Sequence, residues 1–150
     1  METLIRRLRK TDAGAEVIEM ALVTPLLLLL ILGIVDFGFL FQQYVVLSNA
    51  AAEGARVASL PGYSSADVTA RVAAYAANGG VTGTVNTVTT PVALAGPGGS
   101  TWPGSQVTVT HVYTYQYIGP IAALFSGPSM ASNVTLTSRS TVRHQVAAAP

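Results

Sequence analysis

The sequence contains no cysteine, which removes disulfide frameworks, thiolate nucleophiles and cysteine-based metal sites together. Charge is nearly as scarce, at 10% of 150 residues, and what there is lies unevenly. After Glu53 the sole acid is Asp67, so most of the chain lacks the paired carboxylates that acid–base or glycosidic chemistry requires. The two histidines, His111 and His144, have no carboxylate spaced beside them for a metal site or a catalytic triad. Only Arg56, Arg71, Arg139 and Arg143 carry positive charge beyond Lys10, too few for a nucleic-acid footprint. No glycine motif follows a strand and opens a helix in the manner of a phosphate cradle. These absences argue against an enzyme, a cofactor, a metal and a nucleic-acid partner. The length allows one modest domain, and less if part of the chain is given to a membrane.

What the sequence does contain is oil. Half of its residues are hydrophobic, more than a solvated surface tolerates, and no charge interrupts Met20 to Val35. That run falls short of the roughly 20 residues of a spanning helix, but reaches adequate length when counted through Asp36 to Phe41. The basic cluster Arg6, Arg7, Arg9 and Lys10 predicts a cytoplasmic N-terminus and an exported body beyond about residue 42. A cleaved secretory signal fits poorly, because the apolar region is long, starts behind acids and runs on into helix-favouring sequence. The alanines of QQYVVLSNAAAEGARVASL, with no proline before Pro61, predict one helix from Ala15 to Ser59. At about 1.5 Å per residue it is a rod of about 65 Å, half spanning and half protruding. Within the spanning half, Pro25 removes one ladder bond, and Gly33 and Asp36 are the further candidate positions of the membrane helix. On the protruding half, Ala50, Gly54 and Ala58 recur every fourth residue. This shaved face either seats the protein's own sheet or admits another subunit's backbone.

Three acids attend the greasy run. Glu16 and Glu19 precede it, where the positive end of a helix favours them. Asp36 lies near its far end, either hydrated among lipid headgroups or in a polar contact between packed helices. RRLRKTDAG followed by AEVIE resembles a type IV prepilin leader. The resemblance implies cleavage by prepilin peptidase between Gly14 and Ala15, and a glutamate, Glu19, that neutralises a neighbouring subunit's new amino terminus. At about 4 Å and an effective dielectric near 20, such a pair gains roughly 4 kcal/mol before desolvation, enough to set register between subunits.

Read as a whole, GAEVIEMALVTPLLLLLILGIVDFG, then LSNAAAEGARVAS, then NVTLTSRSTVR is similar to the TadE-like family of tight-adherence (Tad) pilus proteins. Glu19, Pro25, Leu26 to Leu30, Asp36, Phe37, Gly38 and Glu53 to Arg56 carry the likeness. Met20 replaces the family's usual aromatic, and Val17 and Ile18 are bulkier than its common alanines. The resemblance implies a minor pilin or pseudopilin, with other pilins, the lipid bilayer and prepilin peptidase as partners in a helical homo- or hetero-oligomer. Some relatives are uncleaved anchored proteins, so an inner-membrane-anchored assembly module is the alternative, with a cell-envelope enzyme behind it.

The remainder reads as a small head. Ser64 and Asp67 form a capping-box start for a short helix with Val68, Val72 and Tyr75 inward, ended by Gly79 and Gly80. Val81 to Val92 predicts a strand broken by Pro91, and the Pro/Gly stretch behind it predicts a loop holding Trp102 as a lid or a contact. Gln106 to Tyr117 and Val134 to Val146 alternate as antiparallel strands. IGPIAALFSGPSM between them, with Ile121, Leu124 and Phe125, either covers a sheet end or touches a neighbour. Glu53 and Arg56 predict a surface pair. The expected organisation is thus a basic leader over residues 1–14, a helix over 15–59 that spans to about 41, and an exported head over 60–150. The fold class is α+β: a long N-terminal transmembrane helix, a short second helix and a small antiparallel sheet.

Overall fold

A computed structural model describes residues 12–121 and 133–145. The basic cluster of the leader, and Leu124 and Phe125 of the expected apolar connection, lie outside these residues. The first helix, α1, runs Asp12–Ala58 without interruption and passes through Pro25. It stops where the Ser59 hydroxyl donates to the Arg56 carbonyl at 2.7 Å and Pro61-Gly62 turns the chain, Gly62 taking a φ of 88° that side-chain-bearing residues avoid.

The second helix, α2, spans Ser65–Asn78 and opens with the expected reciprocal cap. The Ser64 amide donates to Asp67 Oδ2 at 2.8 Å and the Asp67 amide donates to Ser64 Oγ at 3.3 Å. The Ser64 hydroxyl in turn donates to Asp67 Oδ2 at 2.7 Å, and this bond first, the Ser64 amide second, holds the Asp67 carboxyl below its ordinary value of 3.8. The buried residues are Val68, Val72 and Ala76. Tyr75, expected inward, is 38% exposed, because a strict four-residue step from Val68 and Val72 selects Ala76.

Among the described residues of the head, three strands follow: β1 (Val85–Ala95), β2 (Thr101–Thr114) and β3 (Asn133–Arg143). They form an antiparallel sheet in the order β1-β2-β3. Pro91 stands in β1, which among the described residues is an edge strand paired with β2, the place in a sheet where a proline is tolerated. The strands reach further into the Pro/Gly stretch than its composition predicts, so that Trp102 lies in β2 opposite Leu94 and the loop shrinks to Gly96–Ser100. There the Gly96 amide donates to the Ser100 carbonyl at 2.7 Å. Trp102 is neither a lid on the core nor a free contact: the Arg143 guanidinium carbon sits 3.6 Å from the centre of its ring.

The core lies where α1, α2 and the inward face of the sheet meet. Leu47, Ala50, Ala51 and Ala55 of α1, Val68 and Val72 of α2, and Val107, Val109 and Tyr113 of β2 are all buried. The inward phase of β2 is the one its alternation predicts. At the junction, a Cβ built on Gly54 would stand 2.5 Å from Val72 Cγ2 and 3.3 Å from Val107 Cγ1. Only a residue without a side chain lets α2 and β2 close on α1 together.

Candidate functional site: the free helix and the Asp36 clamp

The stretch of α1 that packs in the head follows one stripe. Among its buried and half-buried positions, Gly33, Asp36, Leu40, Gln43, Leu47, Ala50 and Gly54 fall on one line, spaced alternately by three and four residues, the repeat of one helix face. Along that stripe β2 descends antiparallel to the helix. Val107 lies beside Gly54, Ser138, which faces Val109 across the ladder, donates from Oγ to Ser48 Oγ at 3.3 Å, and Tyr113 arrives at Asp36. Ala50 and Gly54 therefore seat the protein's own head, while Ala58, half-buried, packs at the margin of the same core.

Asp36 is 1% exposed, which corrects the expectation of a hydrated carboxylate. Nor does it wait for another helix. The segment after β2 folds over it, and three successive amides donate into its carboxylate: Gln116 to Oδ1 at 3.1 Å, Tyr117 to Oδ2 at 3.0 Å and Ile118 to Oδ2 at 2.7 Å. The Tyr113 hydroxyl donates to the Asp36 main-chain carbonyl at 3.2 Å. Consecutive N–H groups converging on one anion form a nest, and charge-assisted bonds of this kind are the strong class. Burial first, and the Asp36 charge second, push the Tyr113 phenol above its ordinary value of 10.0. Next to the clamp, Ile118 Cδ1 would lie 3.4 Å from a Cβ on Gly33, so the head reaches at least this far down α1. Sequence reasoning missed the clamp although its signal was present, since Asp36 keeps phase with Leu40, Leu47, Ala50 and Gly54.

Below Leu32, every position of the helix from Gly14 to Ile31 is exposed among the described residues. Val17, Ile18, Met20, Leu22, Leu26 to Leu30, and Ile31 are exposed, and the most apolar part of the helix buries nothing against the head. The helix is long and apolar enough to cross a membrane. Gly14, Ala15 and Glu19 are exposed near its start, and a Cβ at Gly14 would meet nothing within 4 Å. Pro25 is exposed within the unbroken helix.

The expected Glu53–Arg56 pair is the weaker half of a larger arrangement. Arg56 stands at 3.8 Å, whereas Arg71 of α2 donates to Glu53 Oε1 from Nη2 at 2.7 Å and from Nε at 3.1 Å, pinning α2 to α1. The histidines serve the head. His111 Nδ1 is 3.1 Å from the Thr84 carbonyl, and His144 Nε2 is 2.7 Å from Ser105 Oγ. No group of three or more potential metal-ligating residues occurs among the described residues.

A family model described as TadE-like protein matches residues 14–56. No curated protein and no solved structure matches the chain. Residues 14–56, the long helix from Gly14 through the Asp36 clamp to the Glu53–Arg56 turn, are thus similar in sequence to that family.

Proposed function

We propose that the protein is a structural minor pilin, or pseudopilin, of a Tad (type IVb-like) pilus, which contributes to assembly or priming after prepilin peptidase removes the leader at Gly14. The observation that carries this reading is the bare apolar half of α1. A fold that buries Asp36 on its own head, yet leaves the apolar side chains of residues 17–31 exposed among the described residues, calls for an outside solvent for them. Lipid supplies it before assembly and sister helices supply it afterwards. The TadE-like sequence over the same residues supports a pilus as the place of that exchange. In the assembled state, Glu19 meets the amino terminus of an adjacent subunit; in the bilayer the N-terminal side is cytoplasmic and the head is exported. Its role is architectural and not catalytic, and its partners are the peptidase, other pilins and the bilayer.

The structure of the head is equally suited to an uncleaved inner-membrane assembly module, so the test must read the amino terminus. Mass spectrometry of the membrane fraction is expected to find a chain beginning at Ala15; an intact chain in assembled pili overturns the pilin reading in favour of the anchored module. Substitution at Gly14 is expected to block processing. Glu19→Ala is expected to insert normally and to lose assembly, and wild-type pili from that variant would remove the role given to Glu19.

A further inference from the structure

The bare half of α1 gives way to the head at a band of rings. From residue 15 to residue 36 there is no aromatic side chain, and then Phe37, Phe39, Phe41 and Tyr44 follow within about 10 Å of helix, each exposed. Tyr117 of the clamp segment, also exposed, joins them by stacking on Phe39 with ring centres 6.3 Å apart. Rings with one apolar and one wet side collect at the boundary between lipid and water.

The clamp segment independently locates that boundary. Tyr115 to Tyr117 is irregular backbone between the strand and a helical turn that starts at Ile118, and such backbone is not tolerated facing hydrocarbon. It cannot sink below the headgroups. Asp36 ties it to the helix by three bonds, so the helix cannot slide inward past it. At the same level Asp36 itself exposes almost nothing, leaving no charge to hold the band away from lipid.

We propose that the Tyr115–Ile118 segment and the ring band of α1 form a foot that rests in the headgroup layer of the bilayer on the exported side. Asp36 acts as the pin that sets how deep the helix sits. This rests on the membrane-spanning reading above. It shortens the span: the hydrocarbon ends near Gly33 and not near residue 41. The distance along the helix from Glu19 to Asp36 is about 25 Å, less than the roughly 30 Å of a bilayer core. With the foot held at one surface, Glu19 is drawn to the hydrocarbon edge at the other, where its carboxylate is poorly solvated and ready for a cation.

The test uses the full chain in phosphatidylcholine vesicles whose acyl chains are brominated at a shallow or a deep position. Trp102 is the only tryptophan and stands eleven positions before Tyr113 on β2, about 37 Å along the strand. Probes are placed by Tyr117→Trp, Phe39→Trp and Leu27→Trp, each with Trp102→Phe. Tryptophan at 117 and at 39 is expected to lose several-fold more emission to shallow bromines than Trp102 of the unaltered chain, and more to shallow than to deep ones. Adding Asp36→Ala is expected to abolish the loss at 117 while sparing that at 39. A residue-117 probe as unquenched as Trp102, or one quenched most by deep bromines, overturns the foot while leaving the membrane reading intact. An unquenched residue-27 probe sinks the membrane reading itself.

Discussion

At the scale of single residues, Asp36 shows how one carboxylate can join two parts of a molecule. An ionised group removed from water is costly unless its oxygens are occupied, and here three main-chain amides donate to them. Truncation would leave those donors without an acceptor. Asp36→Ala is therefore expected to destabilise the docked head by about 2–4 kcal/mol, read as faster hydrogen exchange at the amides of Gln116, Tyr117 and Ile118. Asp36→Asn, which keeps one acceptor oxygen, is expected to fall between. Unchanged exchange in the alanine variant would mean that the carboxylate does not hold the segment.

Among the elements, α1 does two unlike things with one continuous helix. Its upper half is an internal strut whose small residues admit α2 and β2, and its lower half is a surface. Gly54 is the tightest point of the strut. Gly54→Ala is expected to cost about 1–3 kcal/mol through overpacking against Val72, measured by denaturant unfolding in detergent. Because the clash is with one methyl group at 2.5 Å, Val72→Ala in the same chain should recover part of that cost. Strict additivity of the two variants would show that Val72 is not the residue displaced. The Glu53–Arg71 pair across the same helices is largely open to water on the arginine side, and pairs of that kind add only about 0–1 kcal/mol. The packing around Gly54, more than the ion pair, holds α2 in place.

For the molecule as a whole, the buried core among the described residues lies entirely beyond Gly33. The head and the free helix are consequently separable in energy although they share α1. A chain lacking residues 1–32 is expected to keep the slow exchange of the β2 amides and to unfold cooperatively in the same detergent as the full chain. Loss of that protection would show that the apolar half stabilises the head. The separation also suits the proposed exchange of lipid for sister helices, since surroundings of residues 17–31 can change without disturbing any contact that the head makes.

Much of this was legible in the residues alone. The charge-free run, the alanine-rich continuation, the Ser64–Asp67 cap and the alternation of β2 each rest on local periodicity or on groups a few residues apart, which is where sequence carries most of its structural information. Composition also pointed to the helix that proves long and apolar enough to cross a membrane. The tertiary structure decided what depends on pairing over long separations: that Asp36 is met by amides some eighty positions later, that Glu53 prefers Arg71 to its neighbour Arg56, that the strands run on to place Trp102 beneath Arg143, and that the small-residue stripe faces inward. The physical reason is the same in each case. An isolated pattern shows which face of a helix or strand is apolar or small, but only the packed chain specifies which distant backbone or side chain arrives to cover it.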